Sequence, residues 1–286
     1  MHHPIIKAFF HQDSSTLTYV VHCQQTKTCC VIDPPLDYDI FSGDVSAACL
    51  TPIEDYIHQK ELTVEWLLET HAHADHVTGN KELKDRLGGK IAVGTGIRDV
   101  QKSVQQMLQL DEDTLTTHVF DCLLEDGQIL ALGELAIHVL ATPGHTPDSL
   151  TFVIGDHAFI GDTLFMPDSG SARCDFPNGS AAQLYQSIQK IYQLGDHTRL
   201  YMCHDYQPNG RELAYITTVA EQKANNVQIN SQVSQEEYVS VRETRDNKLA
   251  IPRLLYPALQ VNIRGGRLPN ADNNGQAFIR MPMQFV

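Results

Sequence analysis

The 286-residue chain is short of positive charge: 21 lysines and arginines stand against 35 aspartates and glutamates, a formal net charge of −14 with histidine neutral. A nonspecific grip on nucleic acid or anionic lipid needs a positive surface, so this balance argues against both as partners. An anionic small molecule would have to be met by a local cluster of cations. Also missing is any apolar run near the roughly 18 residues of a membrane helix. The opening MHHPIIKAFF lacks the charged start and long apolar stretch of a signal peptide. The expectation is a cytoplasmic protein with no membrane partner. There is no CxxC, and the seven cysteines (Cys23, Cys29, Cys30, Cys49, Cys122, Cys174, Cys203) form an odd set. That argues against a disulfide framework and against a cysteine zinc site. Cys29 and Cys30, inside CCVID, read as small core residues.

What is present is an ordinary globular composition, 42% hydrophobic and 20% charged, without repeats or low-complexity tracts. IIKAFF, LTYVVHC and CCVID read as strands, the last broken by Pro34 and Pro35 after Asp33. A helix is expected near 52–60. WLLET (66–70) is an apolar strand-like run, NKELKDRLGG a helix stopped by Gly88 and Gly89, and KIAVG another strand. From 120 to 165 the text turns β-rich, with Gly, Asp and Pro turns. Then AAQLYQSIQKIYQL reads as a helix, RLYMCHD as a last strand and RELAYITTVAEQKANN as a further helix. The expected class is α/β (α+β): two facing sheets with helices outside. A single domain is expected over 1–286, with a C-terminal extension from about 227 to 286 wrapping on it irregularly, because its prolines and glycines resist regular elements.

Chemistry concentrates in HAHADH, residues 71–76, where three histidines and an aspartate follow an apolar run. In extended backbone, side chains two apart share a side, so His71 and His73 could face one ion while Asp75 and His76 face a neighbouring position. Farther along, ATPGHTPDS carries His145 in a turn, GDTLF carries Asp162 at a strand end, and MCHDY carries His204 after another. His and carboxylate donors at several strand ends are what a metal centre requires.

The ordered series THAHADH, PGHTP, GDTLF, CHDY is similar to that of the metallo-β-lactamase superfamily, over about Asp33 to His204. Within it the chain most resembles persulfide dioxygenases of the ETHE1-like kind, in the bacterial branch of β-lactamase-like hydrolases. The cues are HAHADHVTGN, ATPGHTPDSLTFV, SARCDFPNG, CHDYQPNGR and LQVNIRGGRLP. The resemblance implies an αββα sandwich and one Fe(II) held by His71, His145 and Asp162, a donor set that leaves coordination positions for oxygen chemistry. It implies oxidation of glutathione persulfide with O2 to sulfite and glutathione in sulfide detoxification. It also implies a homodimer, and a sulfurtransferase or sulfide:quinone oxidoreductase as pathway partners. His73, Asp75, His76 and His204 would then surround the centre or form a second metal site. The motif does not separate one iron from two zinc ions bridged by Asp162, the arrangement of a thioester hydrolase of the glyoxalase II kind. A noncatalytic metal sensor is the reading from another class, opposed by the absence of any basic arm.

For the substrate, Arg173 matches the arginine of the family's RxDF motif and is the first candidate to hold a glutathione carboxylate; the alternative is a structural pair with Asp175. Tyr206 could donate a hydrogen bond to substrate or fill a gap. MPDSGSARCDF is longer than the GCGRTDF of shorter family members, which bears on the pocket contour. Cys174 and Cys203 lie beside these residues as oxidation-sensitive or structural thiols.

Overall fold

The protein is described by a computed structural model covering residues 3–110 and 117–283. Strands β1 (Ile5–His11), β2 (Thr16–His22) and β3 (Thr28–Ile32) form an antiparallel ladder. β4 (Pro35–Tyr38) and β5 (Val45–Ser46) pair apart from it. β6 (Thr63–Leu68) lies parallel to β3, and β7 (Val77–Thr78) adds to β4. β8 (Lys90–Gly94) and β9 (Cys122–Leu124) complete a six-stranded sheet of order β1-β2-β3-β6-β8-β9. The second sheet runs in sequence order through β10 (Ile129–Leu132), β11 (Leu135–Ala141), β12 (Leu150–Ile154), β13 (His157–Phe159), β14 (Arg199–Tyr201) and β15 (Ile216–Thr218). Only its β13–β14 pair is parallel.

Strand alternation distributes the core into three layers. On β2 and β3, Tyr19, Val21, Cys30 and Ile32 point between the sheets, where they meet Ile137, Val139, Phe152 and Tyr201. Their neighbours Val20, Cys29 and Val31 point the other way. Cys29 and Cys30 are both fully buried, on opposite faces, as small hydrophobes. The outer face of the first sheet is covered by α1 (Thr51–Gln59), α2 (Asn80–Leu87) and α3 (Ile97–Leu108). α4 (Ala181–Tyr192), α5 (Val219–Asn225) and α6 (Gln235–Asp246) cover the second sheet, while α7 (Leu255–Asn262) returns to the first. α4 presents Leu184, Ile188 and Ile191 at helical spacing, each completely buried. At about 1.5–3 kcal/mol per side chain, that stripe alone accounts for a large part of its docking energy. Helix, sheet, sheet, helix is the layering expected from the sequence.

Two elements differ from the sequence reading. RELAYITTVAEQKANN is not one helix: Ile216–Thr218 is an edge strand paired with β14, and the helix begins at Val219. The β-branched run ITTV favours the ladder, and the Thr218 side chain then accepts a hydrogen bond from the Glu221 N–H to start the helix. The tail is also more regular than its prolines suggested. α6 opens with a capping box, Ser234 taking the Glu237 N–H and Glu237 taking the Ser234 N–H. Pro257 is accommodated in the first turn of α7, where its missing N–H costs nothing.

Candidate metal centre

The parallel pairings place the donors. β3 ends at Ile32 beside Leu68 of β6, and Asp33 N–H donates to the Leu68 carbonyl, so Asp33 and Glu69–His76 leave the sheet side by side. β13 ends at Phe159 beside Tyr201 of β14, so Asp162 and His204 each follow by three residues. The Thr16–His204 bridge and the Leu17 N–H to Cys203 carbonyl bond join the two sheets at this end. His145 stands in the turn between β11 and β12. Gly144 makes that turn possible: its φ is +138°, and a Cβ there would lie 2.3 Å from the Leu184 nitrogen. Ligands collect at the carboxyl ends of strands in such sheets because backbone polar groups and loop side chains converge there.

The residues 71–76 run through bends, not extended strand, so their directions are set by anchoring and not by alternation. Asp148, buried, accepts the Ala72 N–H at 2.8 Å, and the Leu150 N–H donates to the Thr70 carbonyl at 2.8 Å. From the far side, Asn262 of α7 donates to the carbonyls of His73 and His76, each at 2.8 Å. It also accepts the Thr78 N–H at 2.9 Å.

One group of donors consists of His71, His145 and Asp162. Asp162 Oδ2 lies 3.9 Å from His71 Nε2 and 3.7 Å from His145 Nε2. The other ring nitrogens are occupied. His145 Nδ1–H donates to the Arg173 carbonyl at 2.7 Å. His71 Nδ1 lies 3.1 Å from Thr70 Oγ1, whose own proton goes to Asp33 at 2.8 Å, so the Nδ1–H must donate to Thr70. Both Nε2 lone pairs are thereby aimed inward, the outer-shell arrangement that prepares imidazole for a metal. Burial, reinforced by the surrounding imidazoles, holds His71 well below the ordinary histidine range, hence neutral near pH 7.

A second group consists of His73, Asp75, His76 and His204. Asp75 Oδ2 is 3.3 Å from His204 Nε2, and Asp162 Oδ1 is 3.4 Å from the same nitrogen. Thr16 Oγ1 lies 3.2 Å from His76 Nδ1 and 3.4 Å from His204 Nδ1. Burial and the nearby His73 push His76 down to about 4. Burial works against charge on His204, but Asp162 and Asp75 outweigh it and raise its pKa. His73 Nε2 faces Asp33 at 3.1 Å and Glu69 at 3.5 Å, two buried carboxylates. Burial opposes the charged form of His73 as well, yet these two partners overturn it and the pKa lies well above the usual value.

The donor chemistry fits a metal. The Nε2 atoms of His71, His76 and His204 and Asp162 Oδ1 are buried without hydrogen-bond partners, a cost that folded proteins rarely accept unless an ion satisfies them. The centre opens on a cavity of about 480 Å³ whose walls include Asp75, His145, Asp162, Phe165, Phe176 and Tyr206.

Of the two substrate candidates, Arg173 is held by Asp175 through two contacts of 2.6 Å and by the Ala250 carbonyl at 2.8 Å. Its guanidinium stacks 5.3 Å from the Phe176 ring centre. Tyr206 lines the cavity, its ring parallel to that of His204 at 5.6 Å and its edge against Phe165. Cys174 and Cys203 are buried, and burial pushes Cys174 up to about 12 and Cys203 well above the usual thiol range, which disfavours a reactive thiolate at either. Sequence reasoning missed Thr16, Thr70, Glu69, Asp148 and Asn262, and gave Asp33 only a strand end. Thr70, Asp148 and Asn262 lie inside the quoted motifs, but the contacts of Thr16, Asp148 and Asn262 are made to residues brought near only by folding.

Residues 15–204 match the Metallo-beta-lactamase superfamily, and the chain belongs to it. It is 43% identical over 99% of its length to the Beta-lactamase hydrolase-like protein of Xylella fastidiosa, of whose own length it spans 65%. A Dictyostelium discoideum protein named Glyoxylase B2 is 40% identical, covering 98% of this chain and 97% of its own. Human Persulfide dioxygenase ETHE1, mitochondrial, is 30% identical, with 92% and 89% covered. The crystal structure of ETHE1 from Myxococcus xanthus superposes with a TM-score of 0.74 at 28% identity, covering 92% of this chain and 100% of that one. Among the described residues no helix is long and apolar enough to cross a membrane.

Proposed function

We propose that this metallo-β-lactamase superfamily member is a persulfide dioxygenase, oxidising glutathione persulfide with O2 and water to glutathione and sulfite. The observation that carries the reading is the separate group of His71, His145 and Asp162, of which His145 and Asp162 line the cavity. Two imidazoles and one carboxylate are the donor set of non-haem ferrous oxygenases. The likeness to persulfide dioxygenases supports it. Bound there, Fe(II) would supply the redox chemistry and the coordination positions that oxygen and sulfur need. The chain supplies the rest. Thr70 and the Arg173 carbonyl fix the imidazoles. Phe165 and Phe176 provide apolar walls that limit water. Tyr206 lines the cavity, and its hydroxyl would be the donor to substrate. Asp162 holds its second oxygen toward His204. Sulfurtransferases or a sulfide:quinone oxidoreductase would supply the persulfide.

A second reading rests on a specific observation: Asp75, His76 and His204 stand together on the other side of Asp162, and the Nε2 atoms of the two histidines are unpartnered. Filled with a second ion, the centre would hold two zincs and suit a thioester hydrolase of the glyoxalase II kind. Metal analysis of anaerobically purified protein, combined with oxygen uptake on adding glutathione persulfide, separates the two. One iron per chain with stoichiometric oxygen consumption is expected. Two zincs and hydrolysis of glutathione thioesters without oxygen uptake would overturn the dioxygenase reading.

A further inference from the structure

The far wall of the cavity does not come from the region matched to the superfamily, residues 15–204. Gln228, Arg242, Arg245, Leu249 and Pro252 line it from the C-terminal segment, three of these residues on or just after α6. Three arginines border the cavity: Arg173, Arg242 and Arg245. Two of them are engaged. Arg173 is bound by Asp175 and Ala250. Arg242 is buried, with two contacts to Asp246 at 3.0 and 2.6 Å and others to the Ser171 carbonyl and Gln228. Asp168, which also lines the cavity, is neutralised by Arg211, which binds Asp205 as well. Arg245 is exposed, lines the cavity, and has no side-chain partner among the described residues.

The cavity lining brings together Asp75 and Asp162 of the metal-type centre, Asp168, which Arg211 neutralises, and the Arg245 guanidinium of the C-terminal segment. In a chain of net charge −14, an anionic ligand entering this cavity meets few unneutralised cations. We propose that Arg245 is the docking cation of the cavity. It would hold a carboxylate of a thiol-derived peptide substrate, so that the sulfur end of the same molecule is directed to His71, His145 and Asp162. This deepens the proposed function and rests on it for the sulfur end. The carboxylate end stands on the unpartnered arginine alone, since a glutathione thioester would need the same grip. It also gives the C-terminal segment a role: it selects carboxylate-bearing substrates, while the region shared with the superfamily holds the centre. Arg173, rigidly paired, shapes the wall and presents its carbonyl to His145.

The test is calorimetric binding of S-methylglutathione, an unreactive probe, to the anaerobic metal-loaded protein, beside its diethyl ester, which lacks both carboxylates. Arg245→Ala should weaken S-methylglutathione about two- to fivefold, the size of an exposed charge pair. It should leave metal content unchanged and barely alter the ester. Arg245→Lys should recover part of the loss, and wild-type affinity should fall with added salt more steeply than that of the alanine variant. Equal affinities of wild type and Arg245→Ala, an equal loss for the ester, or no binding to wild type would each overturn the assignment. Oxygen uptake with glutathione persulfide is measured separately: intact, Arg245-dependent binding without oxygen uptake would sink the dioxygenase reading and leave the docking role standing.

Discussion

Replacing Asn262 should damage both stability and the metal centre, although Asn262 lies 186 residues from His76 along the chain. Its side chain is buried and closes three hydrogen bonds: two donated to the carbonyls of His73 and His76, and one accepted from the Thr78 N–H. Alanine leaves two carbonyls and an N–H without partners. Each such loss costs roughly 1–3 kcal/mol, with the lower figure for carbonyls that a water can reach. Because the three share one side chain they are not additive, and about 3 kcal/mol is the working value. For a chain of this size that lowers the melting temperature by about 6–12 °C. Asn262→Asp should be worse than Asn262→Ala at pH 7, since a carboxylate would face two carbonyl oxygens in place of the amide that donates to them. Thermal unfolding followed by circular dichroism, with metal counted per chain, reads both effects. An Asn262→Ala protein that melts within about 2 °C of wild type and keeps its full metal would refute the claim that α7 clamps this turn.

His71→Ala should abolish metal binding, measured by elemental analysis, because it removes one of the three clustered donors; if the centre is the proposed single iron, His76→Ala should leave most of the bound metal, and loss of half a two-metal complement there would favour the hydrolase. Gly144→Ala combines a backbone φ of +138° with a Cβ driven into the α4 backbone; it should cost more than about 3 kcal/mol in urea unfolding, and a wild-type midpoint would show that the turn has an unstrained alternative. The hydrogen bond from Arg173, followed by burial working against it, leaves the Asp175 carboxyl below its ordinary range. A lowered acid pKa means the pair stabilises the fold fully above the unfolded value near ~4 and loses that contribution as pH falls through the depressed one. Asp175→Asn should therefore flatten part of the acid limb of stability against pH, and superimposable limbs would show the pair to be idle.

The sequence determined the layering and the candidate donors, because both are written in short-range pattern. The short apolar runs TLTYVVH and TCCVI specify strands that the fold buries on both faces, and the 3.6-residue spacing in AAQLYQSIQKIY specifies a one-faced helix. His71, His73, Asp75, His76, His145, Asp162 and His204 announce themselves by residue type at strand ends. The capping box at Ser234 was equally legible, yet the prolines nearby drew the reading toward irregular chain. Tertiary structure alone decided how the donors are divided. The direction of each imidazole depends on which nitrogen is engaged: Thr70 is next to His71 in sequence, but the Arg173 carbonyl beside His145, Thr16 beside His76 and the Asp33 carboxylate facing His73 come from distant parts of the chain. The same holds for the arginines. Sequence singles out Arg173 by its motif, but only packing shows it tied to Asp175 while Arg245, carried by a distant helix, lines the cavity with no side-chain partner among the described residues, because charge availability depends on neighbours in space.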